Sequence, residues 1–257
     1  MRRRPEWPAI SEEKLISDRD IDENPHLVAK LAMSRARIIV KDSGRQLFSD
    51  ESDLEAWVVE HASGWQVSII KHLKERNWLG YFICHDNHLR LGAFVAIEAA
   101  LTDAEYWRYL RDVWLWEEVS FPIRKHWIQY LSSKRGEGSI EMMTDEERQI
   151  FHELPDPFTI YRGVGDKKHR FGLSWTLSRS KAEWFTGFAI GVRRQMCYGL
   201  LATGRYLVTA SCPKRLAAAY LAGRGEEEIL VTHPRSLTRV SVQGLPSDPQ
   251  STTEPGQ

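Results

Sequence analysis

The sequence predicts an α+β fold, with a mainly helical N-terminal region followed by a C-terminal half built around a β-sheet. Three observations carry this. From Asp53 to Tyr130 the apolar residues recur at intervals of three and four, the period of a helix face. Ser132 to Ser139, containing Gly136 and Gly138, breaks that pattern. Beyond Pro157 the texture becomes short, β-rich segments bounded by Gly or Pro.

In chain order, residues 1–25 are charged and carry Pro5 and Pro8, which predicts a loosely ordered arm. A helical region over 26–138 follows, with Trp57, Val58 and His61 and then Trp65, Ile69 and His72 on apolar faces. Thr102-Asp103-Ala104-Glu105 has capping-box spacing, and Tyr106, Trp107, Leu110, Val113 and Trp114 behind it form one helical face. The break at 132–139 places the domain boundary, and 139–245 is expected to form the second unit.

In that unit Thr144-Asp145-Glu146-Glu147 is another capping box, opening a helix that Leu154-Pro155 stops. Strands are expected at Phe158–Arg162, Gly172–Leu177, Leu200–Ala202, Tyr206–Ala210, Glu226–Thr232 and Leu237–Val242. Ser180 is read as the cap of a helix through Trp184, Phe185 and Phe188, and Pro213 as the start of another through Leu216 and Tyr220. The tail 246–257, with three prolines, is expected to be disordered.

Composition narrows the function classes. Lys plus Arg, at 35, equals Asp plus Glu, at 35, so no global positive field recruits nucleic acid. The three cysteines are too few for a disulfide framework in a chain of 257 residues and point to a reducing compartment. The start shows no apolar signal core, and no stretch approaches the roughly 20 apolar residues that span a bilayer. A cytoplasmic protein without a membrane partner is the expectation.

Three segments stand out by order and residue type: Tyr161-Arg162-Gly163, Gly172-Leu173-Ser174-Trp175-Thr176 and Glu226-Glu227-Glu228-Ile229-Leu230. In the last, a period of two puts Glu226 and Glu228 on one side of a strand whose continuation is apolar, so two carboxylates converge where a core strand begins. Together the segments resemble the arginine, serine-threonine-serine and Glu-x-Glu motifs of the R-S-E class of mono-ADP-ribosyltransferases, a class that includes many bacterial toxins. The resemblance covers roughly residues 150 to 243.

It implies an ADP-ribosyltransferase-type split β-sheet core, NAD as co-substrate and cleavage of its nicotinamide bond. Arg162 would then hold the pyrophosphate, as a guanidinium fork can. Gly163 would let the backbone approach nicotinamide. Ser174 would orient the nicotinamide ribose, with Thr176 on the same strand face. Trp175 and Thr176 depart from the family pattern, which carries Thr and then Ser there. An aromatic from Trp184 and Phe185 would stack on the cationic ring. Glu228 would stabilise the oxocarbenium-like ribosyl cation through the ribose 2′-hydroxyl. Glu226 would take a proton from the acceptor, and Glu at that place goes with arginine as acceptor.

The reading is therefore a mono-ADP-ribosyltransferase, a toxin or defence effector held by a neutralising partner protein, that modifies a macromolecular acceptor. Rival readings are modification of RNA or DNA, held by Lys167, Lys168, His169 and Arg170, hydrolysis of NAD, or a non-enzymatic binding module built on the Trp-rich half. No metal is called for. Cys84-His85-Asp86-Asn87-His88 lacks a second Cys or His pair to complete a zinc site.

Overall fold

The structure is a computed structural model that describes residues 18–23, 25, 28, 67–85, 87–116, 124–195 and 204–246, with Asp18, His88 and 188–195 described by backbone alone. The helical pattern expected before residue 67, the strand expected at Leu200–Ala202 and the tail beyond 246 lie outside these residues.

Within the segment read as an arm, Asp18–Glu23 form a short helix, α1, with Ile21 fully buried. Residues 67–74 are helical. Then come α2 (Trp78–Ile83), α3 (Arg90–Ile97), α4 (Asp103–Trp116) and α5 (Arg124–Leu131). Both capping boxes form. The Thr102 N–H donates to Glu105 Oε2 at 2.9 Å and the Glu105 N–H to Thr102 Oγ1 at 3.3 Å. Thr144 and Glu147 make the same reciprocal pair at the head of α6 (Asp145–Glu153). Each cap satisfies otherwise orphaned helix-end N–H groups.

The C-terminal half is one six-stranded antiparallel sheet in the order β4-β5-β2-β1-β3-β6. Its strands are β1 (Phe158–Val164), β2 (Ser174–Thr176), β3 (Tyr206–Cys212), β4 (Ala217–Leu221), β5 (Glu228–Val231) and β6 (Thr238–Gly244). Helix α7 (Arg179–Gln195) packs against β1. Its first turn is held by Ser178, whose Oγ accepts from the Lys181 N–H at 3.3 Å, so the cap lies two residues before the expected Ser180.

One expected helix is a strand instead. After Pro213 the chain makes a single 3-10 turn, Lys214–Leu216, and continues as β4. Ala217-Ala218-Ala219 has high helix propensity, yet pairing with β5 buries Ala219, Tyr220 and Leu221, and tertiary burial outweighs a local preference of a few tenths of a kcal/mol per residue.

The buried residues form one hydrophobic cluster that runs from Phe82, Phe94 and Trp107 in the helices through to Trp175, Val208 and Ile229 in the sheet. The 132–138 connection is irregular, as its sequence predicts, and it is tied down. Arg135 donates to the Leu101 carbonyl at 2.9 Å, Trp107 Nε1 to the Arg135 carbonyl at 3.0 Å, and the Gly136 N–H to Asp103 Oδ2 at 3.1 Å. Ser139 Oγ then reaches the Ala218 carbonyl of β4 at 2.8 Å. No helix among the described residues is long and apolar enough to cross a membrane.

Candidate functional site

The three segments singled out in the sequence fall on three adjacent strands. Tyr161 of β1 pairs with Thr176 of β2, and Thr176 pairs with Glu228 of β5. Directly opposed residues share a sheet face, so Tyr161, Thr176 and Glu228 form a row across the sheet, with Ser174 two residues along on the Thr176 face. Arg162 follows Tyr161, and alternation sends it to the other face. Its guanidinium lies along the β2 backbone, with Nη1 donating to the Ser174 carbonyl and Nε to the His169 carbonyl at 3.3 Å. Gly172 makes room for it: a Cβ there would stand 2.2 Å from Arg162 Cζ.

The carboxylates form the second group. The expected alternation of Glu226 and Glu228 does not exist as strand geometry, because β5 begins at Glu228 and Glu227 has φ +48°. A left-handed backbone at a non-glycine residue costs of order 1 kcal/mol and persists only where the surroundings enforce it. Here Thr176 enforces it. Its Oγ1 donates to the Glu226 carbonyl at 2.6 Å and accepts the Ser178 N–H at 3.0 Å, while the Leu177 N–H donates to the Glu227 carbonyl at 3.0 Å. Thr176 thus spends its hydroxyl on fixing the turn that carries the acidic run.

The two carboxylates still converge, for a different reason. Arg224 Nη2 lies 3.2 Å from Glu226 Oε2 and 3.6 Å from Glu228 Oε2. Glu227, between them, is exposed. Burial pushes the Glu226 carboxyl above the usual range, and the Glu228 charge adds to the effect, while Arg224 opposes it.

Glu228 itself is 2% exposed. Its Oε2 accepts a hydrogen bond from Trp114 Nε1 of α4 at 3.0 Å. Its Oε1 is buried with no hydrogen-bond partner among the described residues. A buried carboxylate oxygen left unpaired costs free energy unless a ligand completes it.

The aromatic candidates differ in setting. Trp184 is 56% exposed, the state a stacking platform requires, and it meets the half-buried Phe185 edge to face at 5.1 Å. Gly163 sits under α7, so close that its lack of a side chain is a packing requirement. No group of three His, Cys, Asp or Glu side chains suited to a metal occurs among the described residues. His85, from the demoted Cys-His-Asp-Asn-His segment, is buried with Nδ1 on the Tyr81 carbonyl at 2.8 Å, and burial lowers its pKa to about 4.

Trp114 and Arg224 are the residues that sequence reasoning missed. Arg224 stands two positions before Glu226, and a cation so close to an acidic run was a readable signal. Trp114 stands 114 positions before Glu228, and nothing in the sequence couples them. Comparison with protein-family models, with curated proteins and with solved structures finds no match to this chain.

Proposed function

We propose that this chain is a NAD-dependent mono-ADP-ribosyltransferase. The observation that supports the reading most is Glu228, a carboxylate in the core with one buried oxygen left unpartnered, at the junction of the arginine, serine and glutamate strands. That oxygen would accept the 2′-hydroxyl of the nicotinamide ribose and stabilise positive charge as the glycosidic bond breaks. Ser174, on the sheet face of Glu228, would orient the ribose, Arg162, which rises on the opposite face, would act on it through the Ser174 carbonyl that it holds, and the exposed Trp184 ring would stack on nicotinamide. Glu226, with its raised proton affinity, would take the proton of the attacking acceptor. Arg224 closes the carboxylates from the solvent side and would swing away as NAD enters, since its side chain is 35% exposed against 3% for Glu228.

The acceptor is a macromolecule, with protein arginine favoured by Glu226. A nucleic-acid acceptor is a second reading, favoured by the basic rim in which the Arg170 and Arg235 guanidiniums lie over the Phe171 ring, 4.7 and 6.0 Å from its centre. Transfer of this kind disables its target, so the reading extends to a cytoplasmic toxin or defence effector restrained by a partner protein. The test is labelled NAD⁺ with a lysate containing protein and RNA, comparing the wild type with Glu228→Gln. Label entering the protease-sensitive fraction with the wild type alone supports a protein acceptor, and the nuclease-sensitive fraction a nucleic acid. Nicotinamide release without transfer indicates a NAD glycohydrolase or a lysate that lacks the target, and no NAD⁺ consumption refutes the enzyme reading.

A further inference from the structure

We infer that Trp114, contributed by the helical N-terminal half, is a positioning residue for the catalytic carboxylate of Glu228. The inference rests on the transferase reading and adds to it a residue outside all three recognised motifs. An indole N–H donates and cannot accept, so at 3.0 Å from Oε2 it fixes which oxygen is engaged and leaves the buried Oε1 as the one still able to accept a substrate hydroxyl. The next cation, Arg224 Nη2, lies 3.6 Å from the same Oε2, so both protein contacts fall on one oxygen.

The indole is in turn held from several sides. Its ring meets Trp127 edge to face at 4.8 Å and 82°, and both tryptophans are buried. The helix that carries it, α4, is capped by Thr102 and clamped by Arg111, which forks onto Glu147 and also reaches the Met142 carbonyl at 2.8 Å. Glu147 accepts the Ala222 N–H at 2.6 Å, immediately after β4, and Leu221 of β4 pairs with Glu228. Donor and acceptor are therefore located by one continuous set of contacts. A carboxylate placed to a few tenths of an ångström is what differential stabilisation of a developing cation requires.

Trp114→Phe keeps most of the ring and deletes the donor. Val113→Ala, on the same helix and equally buried, is the packing control. Nicotinamide release from NAD⁺ is measured on the full chain at a temperature where each variant is folded. The expected result is a fall in kcat of about tenfold or more for Trp114→Phe, the scale of a hydrogen bond to a charged group, with KM for NAD⁺ within about twofold and Val113→Ala close to wild type. The indole N–H resonance of Trp114 in the wild type should shift with Glu228→Gln and on saturation with NAD⁺, a readout that stands even if Trp114→Phe fails to fold. Unchanged kcat in Trp114→Phe, equal losses in both variants, or an indole resonance unmoved by Glu228→Gln or by NAD⁺ would overturn the positioning role while the transferase reading survives. A wild type that releases no nicotinamide removes the reading and the role together.

Discussion

Gly163 lies directly beneath the Ala182 carbonyl of α7, so that a Cβ on Gly163 would stand 2.0 Å from that oxygen and 3.0 Å from the Thr186 N–H nitrogen. Both neighbours are backbone and cannot turn aside. Gly163→Ala should destabilise the fold by about 3 kcal/mol through overpacking, read as a lowered urea midpoint at unchanged slope. A midpoint equal to wild type would mean that α7 sits further from β1 than described.

Breaking the Arg111–Glu147 fork should be costly. Glu147 is 3% exposed, and burial alone would raise its pKa, but Arg111 and the N–H groups of Ala222 and Thr144 together hold it below the usual range. Arg111→Met leaves that carboxylate buried without its cation and should cost about 3 to 5 kcal/mol in urea unfolding. Glu147→Gln, which keeps the shape and loses the charge, should cost less. Equal losses for both would contradict the uncompensated charge as the cause.

Glu226→Gln should separate the two halves of the proposed reaction. Transfer to the acceptor should drop by about a hundredfold, the usual worth of a general base, while nicotinamide release stays within a few-fold of wild type. Because burial raises the proton affinity of Glu226, the acid limb of the transfer rate should lie above the ordinary glutamate range, and release of nicotinamide should lack that limb. Parallel loss of both activities would remove Glu226 from the acceptor step.

His85 predicts a pH dependence of stability. Its folded pKa is lowered from 6.5 to about 4, so between those values the unfolded chain binds a proton that the folded chain does not, and stability falls as pH falls through that window. The full difference amounts to about 3 kcal/mol, fully present as a loss only below pH 4. His85→Gln should flatten this part of the stability profile, measured as urea midpoints from pH 7 down to pH 4. A variant as steep as wild type would assign the acid loss to other groups.

The capping boxes at Thr102 and Thr144 were legible because a cap is a local contract between residues three apart. Strands β1 and β3 were legible from bounded β-rich runs, and the α+β arrangement followed. Strand β4 was not, since its alanines favour a helix and only the β5 partner overrules them. The acidic run was legible as the lead-in to an apolar strand, but its two carboxylates meet through Arg224 and a left-handed Glu227, which a strand period cannot foresee. The Trp114 contact joins residues 114 positions apart and leaves no trace in spacing.

The buried cluster that continues across the 132–138 connection also constrains inheritance. A gene fusion that carried residues 139–245 onto a different leading segment would transplant Arg162, Ser174, Glu226 and Glu228 intact, yet strand Glu147 without Arg111 and Glu228 without its indole. Such a recombinant would have the motifs and lack their support. Lineages that keep this sheet are therefore expected to pass on the helical half with it, as one inherited piece.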